Sequence, residues 1–160
     1  MKLIVACDPD GGIGYQNKLP WTTIQGDLPR FKRLTDGQTI IMGRNTWDSL
    51  PKKPLPNRYS FVISSQTLEM PAHSECITYE TFTGPTCSLR FSSTWLIGGA
   101  QLINACWDHI TEVHLSKTYD HYTCDTFIDL IYLETNYDRT FNEVCPDHQY
   151  QIWKRKCINT

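Results

Sequence analysis

Gln38-Thr39-Ile40-Ile41-Met42-Gly43-Arg44-Asn45-Thr46-Trp47-Asp48-Ser49-Leu50 decides the architecture of this chain. Its first residues form a short apolar run that reads as a buried strand, Gly43 ends the run, and a helix start follows. The device recurs at Thr94-Trp95-Leu96-Ile97, Gly98-Gly99 and Ala100-Gln101-Leu102-Ile103-Asn104-Ala105-Cys106. Outward from these two units, strand patterns lie at 2–7, 58–65, 76–79 and 110–117, and the tail reads as two strands, 137–144 and 150–157, turned at Pro146-Asp147. A helix is expected around Asp27 and a short one within 80–93. Strands alternating with helices predict an α/β fold with a mostly parallel sheet covered on both faces, and the closing hairpin predicts an antiparallel edge. Ligands in such folds bind at the carboxyl ends of the strands.

The chain has 160 residues, the size of one ordinary domain with room for a core and a cleft. With 40% hydrophobic and 20% charged residues it is neither disordered nor fibrous. No apolar run approaches the roughly 20 residues that span a bilayer. The opening Met1-Lys2-Leu3-Ile4-Val5-Ala6-Cys7-Asp8 reaches an acid too early for a signal peptide, so the expectation is a cytoplasmic protein away from membranes. A net charge of -2 and no basic stripe exclude nucleic acid as the expected partner. Seven cysteines, none in a Cys-x-x-Cys pair, read as free thiols, and five histidines without ligand spacing argue against a metal.

Asp27 is the conspicuous charge. Asp27, Phe31 and Leu34 fall at i, i+4 and i+7 and share one side of a helix, with Leu28 nearby. A carboxylate on an apolar face loses hydration and is suited to a polar ligand group. The competing reading is a helix cap ahead of Leu28-Pro29, since Pro is tolerated in a first helical turn. Ahead of it, Gly11, Gly12 and Gly14 read as giving mobility to a long loop.

Three strand ends carry glycines or hydroxyls: Gly43-Arg44-Asn45-Thr46, Ser64-Ser65 and Gly98-Gly99-Ala100-Gln101. Together they are suited to a multiply phosphorylated ligand, with backbone amides and Arg44 on the diphosphate and the serines on a further phosphate. The Gly-x-Gly-x-x-Gly signature of the common dinucleotide fold is absent, as are His-Glu-x-x-His and Gly-x-Ser-x-Gly.

Ile13-Gly14, Leu19-Pro20-Trp21, Asp27-Leu28, Phe31-Lys32, Met42-Gly43-Arg44-x-Thr46-Trp47-x-Ser49, Leu55-Pro56-x-Arg58, Ser64-Ser65, Ile97-Gly98-Gly99-Ala100 and Asp125-Thr126-x-Ile128 occur in an order that resembles the dihydrofolate reductase family. The resemblance implies an eight-stranded sheet with one antiparallel edge strand. It also implies NADPH-dependent reduction of 7,8-dihydrofolate to tetrahydrofolate, in which nicotinamide C4 gives hydride to pterin C6 and a proton reaches N5. On the same ground Asp27 meets the pterin 2-amino group and N3, Trp21 positions a water beside it, and Leu19 lies near the tip of a closing loop. Ile4, Val5, Leu28, Phe31, Leu50 and Leu55 would wall the substrate, Arg58 would hold its glutamate α-carboxylate with Lys32 and Lys53 at the rim, and Ser116 would link to Asp27.

The cofactor contacts so implied are Ala6, Ile13, Gly14, Asn17, Lys18, Leu19, Gly43, Arg44, Asn45, Thr46, Ser64, Ser65, Gly98, Gly99, Ala100, Gln101, Leu102, Ile103 and Thr126, with a cis Gly98-Gly99 bond. The chain departs from the family at Ile103, where a tyrosine is common, at Gln101, where a basic residue is frequent, and at Cys124, where glycine is usual. The segment between Trp21 and Asp27 is one residue longer than in common bacterial members. The implied partners are dihydrofolate and antifolate inhibitors, and the implied state is a monomer. A related-fold reductase of pyrimidine or riboflavin precursors would share the phosphate turns without the Trp21, Asp27 and Arg58 set. A folate- or nucleotide-binding module would bind without oxidising NADPH.

Overall fold

The computed structural model describes residues 1–87, 89 and 93–157. Eight strands form one sheet in the order β5-β4-β3-β6-β1-β7-β10-β9. These are β1 (Lys2–Cys7), β3 (Thr39–Gly43), β4 (Tyr59–Ile63), β5 (Ser74–Ile77), β6 (Thr94–Gly98), β7 (Glu112–Thr118), β9 (Tyr137–Val144) and β10 (His148–Arg155). From β5 to β7 every pairing is parallel, whereas β10 runs antiparallel to both β7 and β9. The antiparallel edge is thus the predicted hairpin. Its turn lies around Pro146, and proline cannot donate to a ladder.

Helices α1 (Asp27–Thr35), α2 (Arg44–Ser49), α3 (Tyr79–Thr83), α4 (Ala100–Ala105) and α5 (Leu130–Asn136) connect the strands. The helix expected within 80–93 is the single turn α3, and residues 88 and 90–92 of that stretch lie outside the described residues. A small second sheet, β2 (Gly12–Gly14) with β8 (Thr126–Phe127), fastens the loop after β1 to the loop after β7.

Two apolar layers cover the sheet. One packs Leu3, Ile41, Leu96, Ile103 and Leu115 with Trp107, Ile110, Leu133 and Tyr137, and the other packs Ile40, Met42, Val62 and Trp95 with Trp47. Alternate residues of β3 divide between them, Ile41 to the first and Ile40 and Met42 to the second, as the two-residue period of a strand requires.

The glycines expected to loosen the loop after β1 have another purpose. A Cβ on Gly12 would lie 2.4 Å from Cys124 Sγ, and one on Gly11, whose φ is +85°, would lie 2.7 Å from the Ile128 carbonyl oxygen. Buried Asp8 ties this segment further, accepting from the backbone N–H groups of Asp10, Gly12 and Tyr122. These glycines permit close approach of backbones, and the residues around them are pinned.

Candidate active site

Parallel strands present their carboxyl ends on one side, and register brings the three glycine- and hydroxyl-bearing turns together there. Gly43 pairs with Ile63, the residue before Ser64, and Met42 pairs with Gly98. The Gly98-Gly99 bond is cis, and a Cβ on Gly98, whose φ is +142°, would come within 3.1 Å of Thr46 Oγ1. Helices α2 and α4 start at Gly43 and Gly99 with no side-chain cap on their first amides. Arg44 stands at the rim, its Nε donating to Asp48 at 2.9 Å and its Nη1 to Gln66 at 3.4 Å. Asn45 follows it and is exposed, Gln101 is exposed on the first turn of α4, and Ser65 is exposed next to Ser64.

Leu102 and Ile103 are expected at the cofactor, and the placement of their side chains leaves only their backbone to serve there. Both are buried in the first core layer, Ile103 with no exposed surface, so their side chains hold α4 to the sheet. An isoleucine with this packing cannot also face a cleft. Ala100 is buried as well, leaving backbone as what this turn can offer a ligand.

The second half of the site lies on the other side of β1. Ala6 pairs with Ser116, and Ser116 pairs in turn with Tyr150, so Ser116 sits in the middle of three strands. Its hydroxyl donates to Asp27 Oδ1 at 2.6 Å. Asp27 is the first residue of α1, behind Gly26 as N-cap, and makes no capping bond, which sets aside the cap reading. It is half-buried, while Leu28 beside it is 69% exposed and Leu19 in the preceding loop is 64% exposed, both large apolar surfaces left open. Trp21 is buried with its ring edge-on to Tyr122 at 5.6 Å.

Further along α1, Phe31 faces Arg58 at 5.9 Å, and Leu34, Leu50, Leu55 and Ile4 pack on the second core layer. Arg58 is buried, donating through Nε to the Pro56 carbonyl at 2.9 Å and through Nη1 to Thr35 Oγ1 at 3.1 Å. Burial lowers its pKa, Asp36 opposes that, and the guanidinium stays charged. Lys32 and Lys53 are exposed nearby in sequence, on α1 and in the loop that carries the cis Lys53-Pro54 bond. Val5 and Ile13 pack against the first core layer.

The loop between β2 and α1 is held at both ends. Tyr15 and Lys18 bridge across a tight turn at Gln16 and Asn17, both with positive φ. Gln16 N–H donates to Asp125 Oδ2 at 2.9 Å, and Gln25 N–H to Asp147 Oδ2 at 2.8 Å. The Gln16 bond, with one from Thr126, pulls the Asp125 carboxyl below its usual range. Burial raises Asp147, but Gln25 and His148 outweigh it and the net shift is downward.

The sequence motifs place no second acid or histidine within reach of Asp27. The structure sets Arg30 beside it, and buried His148 connects to it through Arg30. Arg30 is 9% exposed, its Nη1 3.9 Å from Asp27 Oδ1 and 3.3 Å from Ser116 Oγ, and its guanidinium lies 4.0 Å over the Tyr150 ring. His148, with no exposed surface, meets Arg30 Nη1 at 3.1 Å. The signals were Arg30 at i+3 from Asp27 on the same helix face, and His148 and Tyr150 two apart on one face of a strand.

Among the described residues one cluster has metal-ligand geometry, Asp8, Asp10 and His121. Asp8 is committed to backbone amides and the other two are exposed, so it has the character of a loop tie.

The dihydrofolate reductase family model matches residues 1–154. Dihydrofolate reductase type 8 of Escherichia coli is 33% identical over 160 residues, covering 96% of this chain and 94% of its own. Dihydrofolate reductase of Ureaplasma parvum is 32% identical over 139 residues, covering 87% of this chain and 88% of its own. A solved dihydrofolate reductase from Enterococcus faecalis, complexed with NADP(H) and RAB-propyl, superposes with a TM-score of 0.79 over 98% of this chain and 96% of that one at 23% identity. That likeness concerns the fold, and the full-length relatives carry the rest: the chain belongs to the dihydrofolate reductase family.

Proposed function

We propose that the chain reduces 7,8-dihydrofolate to tetrahydrofolate with NADPH, hydride passing from nicotinamide C4 to pterin C6 and a proton to N5. The observation that carries this reading is Asp27, a half-buried carboxylate oriented by Ser116 rather than by the helix it begins. Asp27 holds the pterin 2-amino group and N3, and it favours protonation at N5 through hydrogen bonds and water beside Trp21. Arg58 takes the glutamate α-carboxylate, since among the described residues no partner meets its Nη2. Leu28, Phe31, Leu50 and Leu55 wall the rings, and Leu19 closes the loop over them. Gly43 to Thr46, Ser64, Ser65 and the backbone of Gly98 to Gln101 fit a dinucleotide: the uncapped amides and Arg44 suit phosphates, and Cβ-free turns allow close approach. NADPH supplies the hydride when bound there. The reading includes one domain acting as a cytoplasmic monomer and binding antifolates at the pterin pocket.

Loss of NADPH absorbance on adding dihydrofolate tests the proposal. Oxidation that depends on dihydrofolate is expected. Binding of both ligands without oxidation, or oxidation only with a pyrimidine or riboflavin precursor, would refute it.

A further inference from the structure

Arg30 is the one side chain of α1 that turns a full positive charge inward, and it has no capacity to accept a hydrogen bond. Every bond it makes therefore fixes the direction of the next. Because Nη1 donates to Ser116 Oγ, the Ser116 proton points onward to Asp27 Oδ1 at 2.6 Å. Because Nη1 also meets His148 Nε2, that nitrogen is the acceptor and the ring proton lies on Nδ1, donated to Asp147 Oδ1 at 2.7 Å. Asp147 accepts from Gln25 N–H with its other oxygen. Two polar chains thus diverge from Arg30 as donor, one through Ser116 to Asp27 and one through buried His148 to Asp147, where the loop before α1 also donates. Oδ1 is committed as an acceptor, so any proton on Asp27 sits on Oδ2.

The surrounding charges leave Arg30 as the cation beside Asp27. From β10, Tyr150 stacks on the guanidinium, its hydroxyl held neutral by burial and bonded to His114, which Glu112 contacts from β7. From the turn before β10 come Cys145, with Sγ 3.9 Å from Nη2, and Asp147. Glu143 of β9 reaches this group through Cys145. Arg33, on the same helix, acts on Tyr150 from an exposed position.

We propose, resting on the reductase reading above, that Arg30 is a positioning residue for the reduction: clamped by His148 and Tyr150, it orients Ser116 toward Asp27 and holds a fixed cation beside that acid. A cation at this position disfavours a proton on the acid and on the nearby pterin alike. Its removal extends hydride transfer to higher pH.

The test compares the full chain with Arg30→Gln, which keeps a donor toward His148 without the charge, Arg30→Met, which loses both, and Arg30→Lys, which keeps the charge. The carboxyl carbon of Asp27, identified by the resonance missing in Asp27→Asn, is titrated by NMR without ligands. Its midpoint is expected to rise by about one pH unit in the two neutral variants and to stay near the parent value in the lysine variant. The pH at which single-turnover hydride transfer from NADPH falls to half should move the same way. Folded neutral variants with the parent midpoint would overturn the proposal, and so would unfolding of both, because Arg30 would then be a structural residue. A parent chain that never oxidises NADPH with dihydrofolate refutes the reductase reading and leaves the carboxyl titration to decide Arg30 alone.

Discussion

Arg58 shows how burial and function meet in one side chain. Two of its nitrogens are satisfied by Pro56 and Thr35 and, among the described residues, the third has no partner, so on the proposed reading the guanidinium is already oriented for an anion. Arg58→Leu should raise KM for dihydrofolate about 10- to 100-fold with a smaller change in kcat, read from steady-state kinetics. Tyr137 is buried for stability. Its hydroxyl donates to the carbonyls of Trp107 and Ile110 and accepts from Arg155, and burial, partly offset by Arg155, pushes its pKa up from 10.0 to about 12. The folded state therefore retains the proton where the unfolded chain has lost it. This contribution is intact below pH 10 and is lost as pH rises toward 12. Thermal melts across that range should fall more steeply for the parent than for Tyr137→Phe, and parallel slopes would contradict the assignment. At this scale Asp27 was legible as a charge on an apolar helix face, while Ser116 and Arg58 came only with the family resemblance, and of these the structure shows the Ser116 bond to Asp27. Arg30 was not legible, because an arginine beside Phe31 and Lys32 reads as rim until the strand bearing Tyr150 and His148 is laid against it.

Elements with a full period of pattern declared themselves: β1, β3, β6 and α4 from apolar runs bounded by glycine, and the terminal hairpin from its proline turn. The missed ones are short or locally ambiguous. Strands β2 and β8 have three and two residues, too few for any period. Helix α5, Leu-Ile-Tyr-Leu-Glu-Thr-Asn, is rich in residues that also suit strands, and its one clear signal is Asp129, whose side chain caps the Tyr132 N–H at 2.9 Å. For Gly11 and Gly12 the sequence is ambiguous, because a glycine that permits contact and a glycine that permits motion look alike in one dimension. Gly12→Ala separates the two. Its Cβ would overlap Cys124, so a loss of about 1–3 kcal/mol and several degrees in Tm is expected. Adding Cys124→Gly should restore part of that loss, and failure of the double variant to recover would show that the clash is not the cause.

Across the whole molecule, one parallel sheet does the assembling. Placing β6 between β3 and β1 sets the Gly98 turn against the Gly43 turn, and placing β7 beside β1 sets Ser116 beneath Asp27. The phosphate-type turns and the acid therefore lie on opposite sides of β1 at one end of the sheet. On the reading proposed above, two ligands bound there would meet over Ala6, which pairs with Ser116. Among the described residues Asp27 meets Ser116 and Arg30 and no second acid, so proton delivery in the proposed reaction rests on Asp27. The direct measurement is single-turnover hydride transfer as a function of pH for the parent and Asp27→Asn, with NADPH binding followed separately. Near neutral pH the variant should be slower by about 10²- to 10⁴-fold, should recover toward acid where dihydrofolate is already protonated, and should bind NADPH as the parent does. A variant that transfers hydride at neutral pH within a few-fold of the parent would contradict the account.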